Sequence, residues 1–242
     1  MTPVSNRIAL VTGASSGIGK AIALGLAAQQ AVLCLVGRRP EALEAVAARA
    51  RDTACRVLSY RIDLTRDEDL EELTACLRRD VGALDVLVHS AGVIAGGRLE
   101  SAPVADFDWQ YRTNVRAPYL LTQALLPLLQ PRRGQIVFIN SSVVSRAQAG
   151  VGQYAATKHA LKAIADSLRD EVNPEGVRVL SVFLGRTAGP MQAALYAREG
   201  KAYRPELLLQ PEDVAQVVLH TLGLPRTAEV TEISMRPLTK SY

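Results

Sequence analysis

Short, mostly apolar runs alternate along the chain with longer stretches in which apolar positions recur every three or four residues. The runs "RIALVTG" (7–13), "AVLCLVG" (31–37), "CRVLSYRID" (55–63), "LDVLVHSAG" (84–92), "GQIVFINSS" (134–142), "GVRVLSVFLG" (176–185) and "AEVTEISMRP" (228–237) predict seven strands. Between them, 19–30, 40–52, 66–80, 104–130, 153–172 and 211–223 predict helices. Pro40 and Pro211 suit a first helical turn. The 66–80 segment has its acids early and its arginines late, as the helix dipole favours. In 153–172, Leu161, Ile164, Leu168 and Val172 repeat at helical spacing. The 104–130 stretch contains Pro118 and Pro127 and is expected to bend or break near them. Residues 186–210 show no period and are expected to form a wall or lid over the strand ends.

Strands apolar on both faces, separated by helices, imply a parallel sheet covered on each side. Right-handed crossovers then give an α/β, doubly wound, Rossmann-type domain with seven parallel strands flanked by helices. Nothing resembling a linker or repeat divides it, so residues 1–242 are expected to form one domain. Its cofactor half covers about 6–130 and its catalytic and substrate half about 131–242.

Composition narrows the class. The chain is 48% hydrophobic and 21% charged with a net charge of +4, ordinary values for a globular enzyme. Its basic residues are scattered, with only short clusters such as Arg132-Arg133, which argues against nucleic acid as a partner. Cys34, Cys55 and Cys76 are too few and too scattered for a disulfide framework or a zinc site. "MTPVSNR" lacks the apolar stretch of a secretory signal, and the expectation is a cytoplasmic enzyme without metal or membrane partner.

The chemistry begins where the first strand runs into "TGASSGIG" and then into a helix. Gly13, Gly17 and Gly19 permit a tight turn and close approach to a phosphate, and the helix start behind them supplies free N–H groups. Ser15, Ser16 and Ile18 complete this candidate cradle. At the end of the second strand, where an acid would bind a ribose 2′-hydroxyl, the chain has Gly37 followed by Arg38 and Arg39. A guanidinium fork matches a 2′-phosphate, which favours NADP(H) with Arg38 as main contact and Arg39 as a second. Further on, "QYAATK" sets Tyr154 and Lys158 four positions apart, on one helix face. Such a pair is usually chance on a solvated surface. Here the ammonium is expected to lower the pKa of the phenol, which would act as general acid or base on a carbonyl/alcohol pair.

The Gly-x-x-x-Gly-x-Gly turn followed by Tyr-x-x-x-Lys resembles the short-chain dehydrogenase/reductase family over about residues 6 to 236. The resemblance implies that Lys158 also holds the nicotinamide ribose. It implies further that Asp63-Leu64 contacts adenine, and that Ala91 and Gly92 line the cofactor. Asn114 is implied to hold a relay water, and a serine at the end of the fifth strand to assist Tyr154. Ser142 is favoured over Ser141 for that serine, on the assumption of a one-residue deletion in "RAQAGVG". His89 and Ser90 depart from the family pattern, and His89 is expected to be a packed strand-end residue. Leu184 replaces a proline, Gly185 is kept, and Gly189 stands where a threonine is usual, so Thr187 is the candidate substitute for anchoring the nicotinamide.

The resemblance also implies a homotetramer or homodimer built on the 105–130 and 153–173 helices; Leu125, Leu128 and Leu129 are compatible with such a contact and equally with burial inside the monomer. The expected activity is hydride transfer between NADP(H) and a small carbonyl or alcohol substrate. Arg98, Arg146 and Arg186 are either solvated or readers of an acidic group. A 3-oxoacyl reductase is an alternative substrate class, and a cofactor-binding sensor without turnover an alternative function.

Overall fold

The computed structural model describes residues 5–239; residues 1–4, part of the N-terminal segment read above, and 240–242 lie outside the description. The strands are β1 (Ile8–Thr12), β2 (Val32–Gly37), β3 (Arg56–Arg61), β4 (Val86–His89), β5 (Gln135–Ser141), β6 (Arg178–Leu184) and β7 (Glu232–Met235). The helices are α1 (Gly17–Ala28), α2 (Pro40–Arg51), α3 (Asp67–Asp80), α4 (Val104–Tyr111), α5 (Ala117–Leu129), α6 (Gly152–Val172), α7 (Pro190–Arg198) and α8 (Pro211–Leu222). All strands pair in parallel in the order β3-β2-β1-β4-β5-β6-β7. The chain winds outward first on one side of β1 and then on the other, so the crevice between β1 and β4 opens above the carboxyl ends of the strands.

Alternating side chains feed two cores. Ala9 and Val11 of β1 face the layer made by α1, α2 and α8, where Ile22, Leu26, Val214 and Val218 are buried. Leu10 faces the layer of α3, α5 and α6, with Leu73, Leu77, Leu121 and Leu161. Leu125, Leu128 and Leu129 belong to this second core at 0%, 8% and 0% exposure, so of the two placements open to them they take burial inside the monomer rather than an outer, copy-to-copy face. The large apolar side chains actually exposed in this region are Leu99, Val104, Phe107, Trp109, Tyr111 and Tyr119. No helix among the described residues is long and apolar enough to cross a membrane.

The long helix is interrupted near Pro118, as expected, by a π-helical turn at Arg112–Arg116 just ahead of it. Within 186–210, residues Pro190–Arg198 form α7, closed on one side by a small cluster of Ala188, Tyr196 and Leu208 against Tyr203.

His89 is packed, as expected. It is 5% exposed, stacks on Phe138 at 4.8 Å and 16°, and sets Nε2 2.8 Å from Thr122 Oγ1. Burial pushes its pKa from 6.5 down to about 3. Below pH 6.5 the unfolded chain therefore takes up a proton that the folded chain refuses, and stability falls as pH drops toward 3. Between pH 7 and pH 5 this should remove about 2 kcal/mol. Urea unfolding of the wild type and of His89→Asn at the two pH values checks this: the variant should lose less stability on acidification by about that amount.

Candidate active site

The first strand ends at Thr12, whose hydroxyl donates to Val88 O and accepts from the N–H groups of Ser90 and Ala91 at 3.0 and 3.1 Å. That binds the end of β1 to the chain leaving β4. The turn into α1 then passes through Gly13 at φ +66° and Gly17 at φ +53°. A Cβ on Gly13 would lie 2.9 Å from Ala91 backbone atoms, and one on Gly19 2.5 Å from Gly13 O. The turn is thus closed to larger residues where the backbone is tightest. Ser16, the residue before α1, uses no side-chain oxygen on the first helical turn. Donors there stay available to an anion.

A cavity of about 950 Å³ runs along the strand ends from this turn. All the cofactor-contact candidates line it except Asn114. Arg38 and Arg39 are exposed at one end, with no ion pair to another described residue. Asp63 lies nearby, where its Oδ1 accepts from Thr65 N–H and hydroxyl at 3.0 and 2.8 Å. Ser141, Ser142, Tyr154, Lys158, Gly185 and Thr187 line the other end.

Helix α6 carries Tyr154 and Lys158 into the cavity one turn apart. The Lys158 ammonium lies 5.9 Å from the centre of the Tyr154 ring and donates to Ile139 O at 3.0 Å. It is 5% exposed, and burial pushes its pKa from 10.5 down to about 8. The Tyr154 phenol does not follow the expectation. Its pKa is raised by burial, and the opposing influence is a hydrogen bond with the Ser141 hydroxyl rather than the charge of Lys158. In the polypeptide alone, desolvation is the largest influence on the phenol.

Both candidate serines line the cavity. The side chain that acts on Tyr154 is that of Ser141, the last residue of β5, whereas Ser142 opens the following 3-10 turn. The ladder fixes this register, because Ser141 is still paired with Leu184 of β6. Its Oγ also accepts from Val143 N–H at 3.2 Å.

Asn114 is 1% exposed in the π-helical turn. Its Oδ1 accepts from Val93 N–H at 2.9 Å, and its Nδ2 donates to Val93 O at 2.9 Å and Thr157 Oγ1 at 3.1 Å. Both Nδ2 hydrogens and one Oδ1 lone pair are therefore engaged with protein. The main-chain carbonyl of Asn114 has Pro118, which has no N–H, at its α-helical donor position four residues on. Two further residues hold the cluster and were not singled out in the sequence. Thr157 donates to Tyr154 O at 2.8 Å while accepting from Asn114. Asn140 accepts from Ser141 N–H at 2.8 Å and donates to Lys158 O at 3.2 Å, joining β5 to α6. The "NSS" and "AATK" stretches contain both residues, but their reach across elements is set only by the fold.

After β6 the chain passes Gly185, whose N–H donates to Met235 O at 2.8 Å. Thr187 donates to Gly185 O at 3.1 Å and pairs with Leu209 in an isolated bridge. Gly189 has φ +151° and ψ 176°, a conformation that essentially only glycine adopts, so a threonine there would be strained. A Cβ at this position would lie 3.9 Å from Gly17 Cα, so the loop leans over the glycine-rich turn. Arg186 anchors α7 by donating to both oxygens of Glu199 at 2.8 and 3.1 Å, with its guanidinium 4.7 Å from the Tyr196 ring. Arg98, expected on the cavity wall, does not line it and pairs with Glu100 at 2.6 Å.

Comparison with known proteins gives a consistent result. The profile of the short chain dehydrogenase family matches residues 7–200. An uncharacterized oxidoreductase of Staphylococcus aureus (strain USA300) is 31% identical over 239 residues, 98% of this chain and all of the relative. Among solved structures, an alcohol dehydrogenase from the archaeon Thermococcus sibiricus complexed with 5-hydroxy-NADP superposes with a TM-score of 0.88 at 27% identity, covering 98% of this chain and 99% of that one. The L-sorbose reductase of Gluconobacter frateurii complexed with NADPH and L-sorbose gives 0.87 at 25% identity, covering 96% and 95%.

Proposed function

The chain belongs to the short-chain dehydrogenase family of oxidoreductases, and from that premise we propose that it interconverts a carbonyl compound and a secondary alcohol with NADP(H). One observation carries the reading. A single cavity has a glycine cradle and two unpaired guanidiniums at one end, and the Ser141–Tyr154–Lys158 cluster at the other.

The residues fit the dinucleotide on their own chemistry. The Cβ-free turn admits a pyrophosphate at the start of α1. Arg38 offers a fork for a 2′-phosphate, and Gly37 puts no carboxylate against it. Gly92, where a Cβ would come 3.9 Å from Lys158 Nζ, leaves room beside the ammonium for ribose hydroxyls. When bound, the reduced nicotinamide supplies a hydride to the substrate carbon.

The chain's own part is to place and protonate the substrate. Tyr154 holds a proton at its phenol oxygen, ready for the carbonyl oxygen. Its raised pKa keeps it protonated beside the Lys158 ammonium. The Ser141 hydroxyl shares the same oxygen and steadies the developing negative charge. Lys158, held by Ile139 O and by Asn140 through its own carbonyl, keeps its charge below pH about 8.

Consumption of NADPH with a panel of ketones and aldehydes tests the reading, and serine variants test the site. Ser141→Ala should lower kcat by about 10²-fold, the size of a lost donor to a developing oxyanion. Ser142→Ala should stay within a few fold of wild type, and the reverse order would refute the assignment of Ser141.

A further inference from the structure

The cavity is more positive than a dinucleotide requires. Seven cationic side chains line it against one carboxylate, Asp63. Most of them fall into two groups. Arg38 and Arg39 follow β2, whereas Arg146 follows β5, and Arg186 and Lys201 follow β6. In the strand order, β2 and β6 are four spacings apart, which puts their ends about 19 Å from each other. No single phosphate bridges that gap. At the strand ends the pyrophosphate cradle after β1 is three spacings from β6, about 14 Å, and the loop after β6 returns to the cradle at Gly189, three residues beyond Arg186.

The second group stands beside the reacting end. Leu184 pairs with Ser141 across the β5–β6 ladder, and Arg186 is two residues further on. The nicotinamide ring, neutral or positive, gives these cations nothing to bind. Internal pairing satisfies them only in part. Arg186 and Lys201 share one carboxylate, Glu199, at 2.8 and 3.0 Å, and Glu199 does not line the cavity. Arg186 is held in place by that pair and by Tyr196, whose ring and hydroxyl both act on the guanidinium, while its Nη1 is buried with no hydrogen-bond acceptor among the described residues. Arg146 has no ion pair among them.

We propose that the substrate is an anion, an oxo acid or the corresponding hydroxy acid, whose carboxylate docks on Arg186 and Arg146 while its carbonyl oxygen meets Tyr154. This rests on the oxidoreductase reading above and adds the substrate class. The carboxylate takes no part in the bond changes: the carbonyl carbon gains a hydride, its oxygen gains the Tyr154 proton, and the charged group is unaltered. A preorganised guanidinium with a spare donor favours such a group over its neutral ester because it exchanges an unsatisfied buried N–H for a charge-assisted hydrogen bond.

The test compares oxo acids of varied length with their methyl esters in NADPH-dependent reduction. The acids should be preferred by about 10- to 100-fold in kcat/KM, the range of one such bond. Arg186→Gln should abolish the preference and Arg186→Lys should restore part of it. Arg146→Gln, on an exposed loop away from α7, should reduce it without disturbing the lid. Equal use of acids and esters would overturn the substrate class while leaving the oxidoreductase reading intact. If no compound is reduced, that reading fails separately, and quenching of bound NADPH fluorescence by a non-reducible carboxylate and its amide still decides the inference. Tighter binding of the carboxylate, lost in Arg186→Gln, supports it; equal binding, or none, overturns it.

Discussion

Tyr154→Phe should lower kcat/KM by about 10²- to 10⁴-fold, the contribution of a placed general acid. The substitution removes one oxygen from a half-buried ring and leaves the packing of α6 as it is. Thermal stability and NADPH binding should therefore persist while turnover disappears. Steady-state rates read beside NADPH fluorescence titration check both halves. The size of the effect follows from geometry: Tyr154 is the phenol that lines the reacting end beside Ser141 and Lys158, and its hydroxyl is the group with which Ser141 pairs. A cofactor-binding sensor would show no such gap between binding and rate, since wild type and variant would both bind and neither would turn over.

Arg38→Ala should weaken NADPH binding by about 10- to 100-fold, the loss of one charge-assisted fork. NADH, which has no 2′-phosphate, should bind within about twofold of its wild-type affinity, by the same charge argument. The phosphate reading needs both outcomes. Arg38 is exposed and has no ion pair to another described residue, so its removal leaves no buried charge behind and the fold should not respond. Isothermal titration with both dinucleotides separates the effects, and salt should diminish the NADPH difference.

Much of this site is written in local sequence. The glycine turn is legible because a strand, a φ-positive turn and a helix start are all local features, and Gly13 and Gly17 adopt the positive φ they permit. Strands β1, β2, β4, β5 and β6 are legible as buried, largely apolar runs, whereas the less buried edge strands β3 and β7 are legible mainly from their place in the alternation with helices. What escapes the sequence depends on reach. Whether Ser141 or Ser142 meets Tyr154 depends on where β5 stops pairing with β6, which counting along the loop does not reveal. Leu125 and Leu129 have the same helical spacing whether they face a second copy or their own sheet; α3 and the sheet cover them here. α7 has a weak pattern because what anchors it lies outside it, in Arg186, Glu199 and Lys201. The pKa of Tyr154 escapes for a related reason. Sequence spacing reports the nearby ammonium but not the desolvation that raises the phenol's pKa.

The account stands or falls on hydride passing from NADPH to a carbonyl carbon in the cavity under Tyr154. Reduction of an accepted substrate with NADPH deuterated at the transferring position of the nicotinamide, followed by mass spectrometry of the alcohol, measures this directly. One deuterium on the new carbinol carbon, absent with Tyr154→Phe over the same interval, is the result predicted here. Alcohol formed without deuterium, or formed equally fast by the Phe variant, would contradict it.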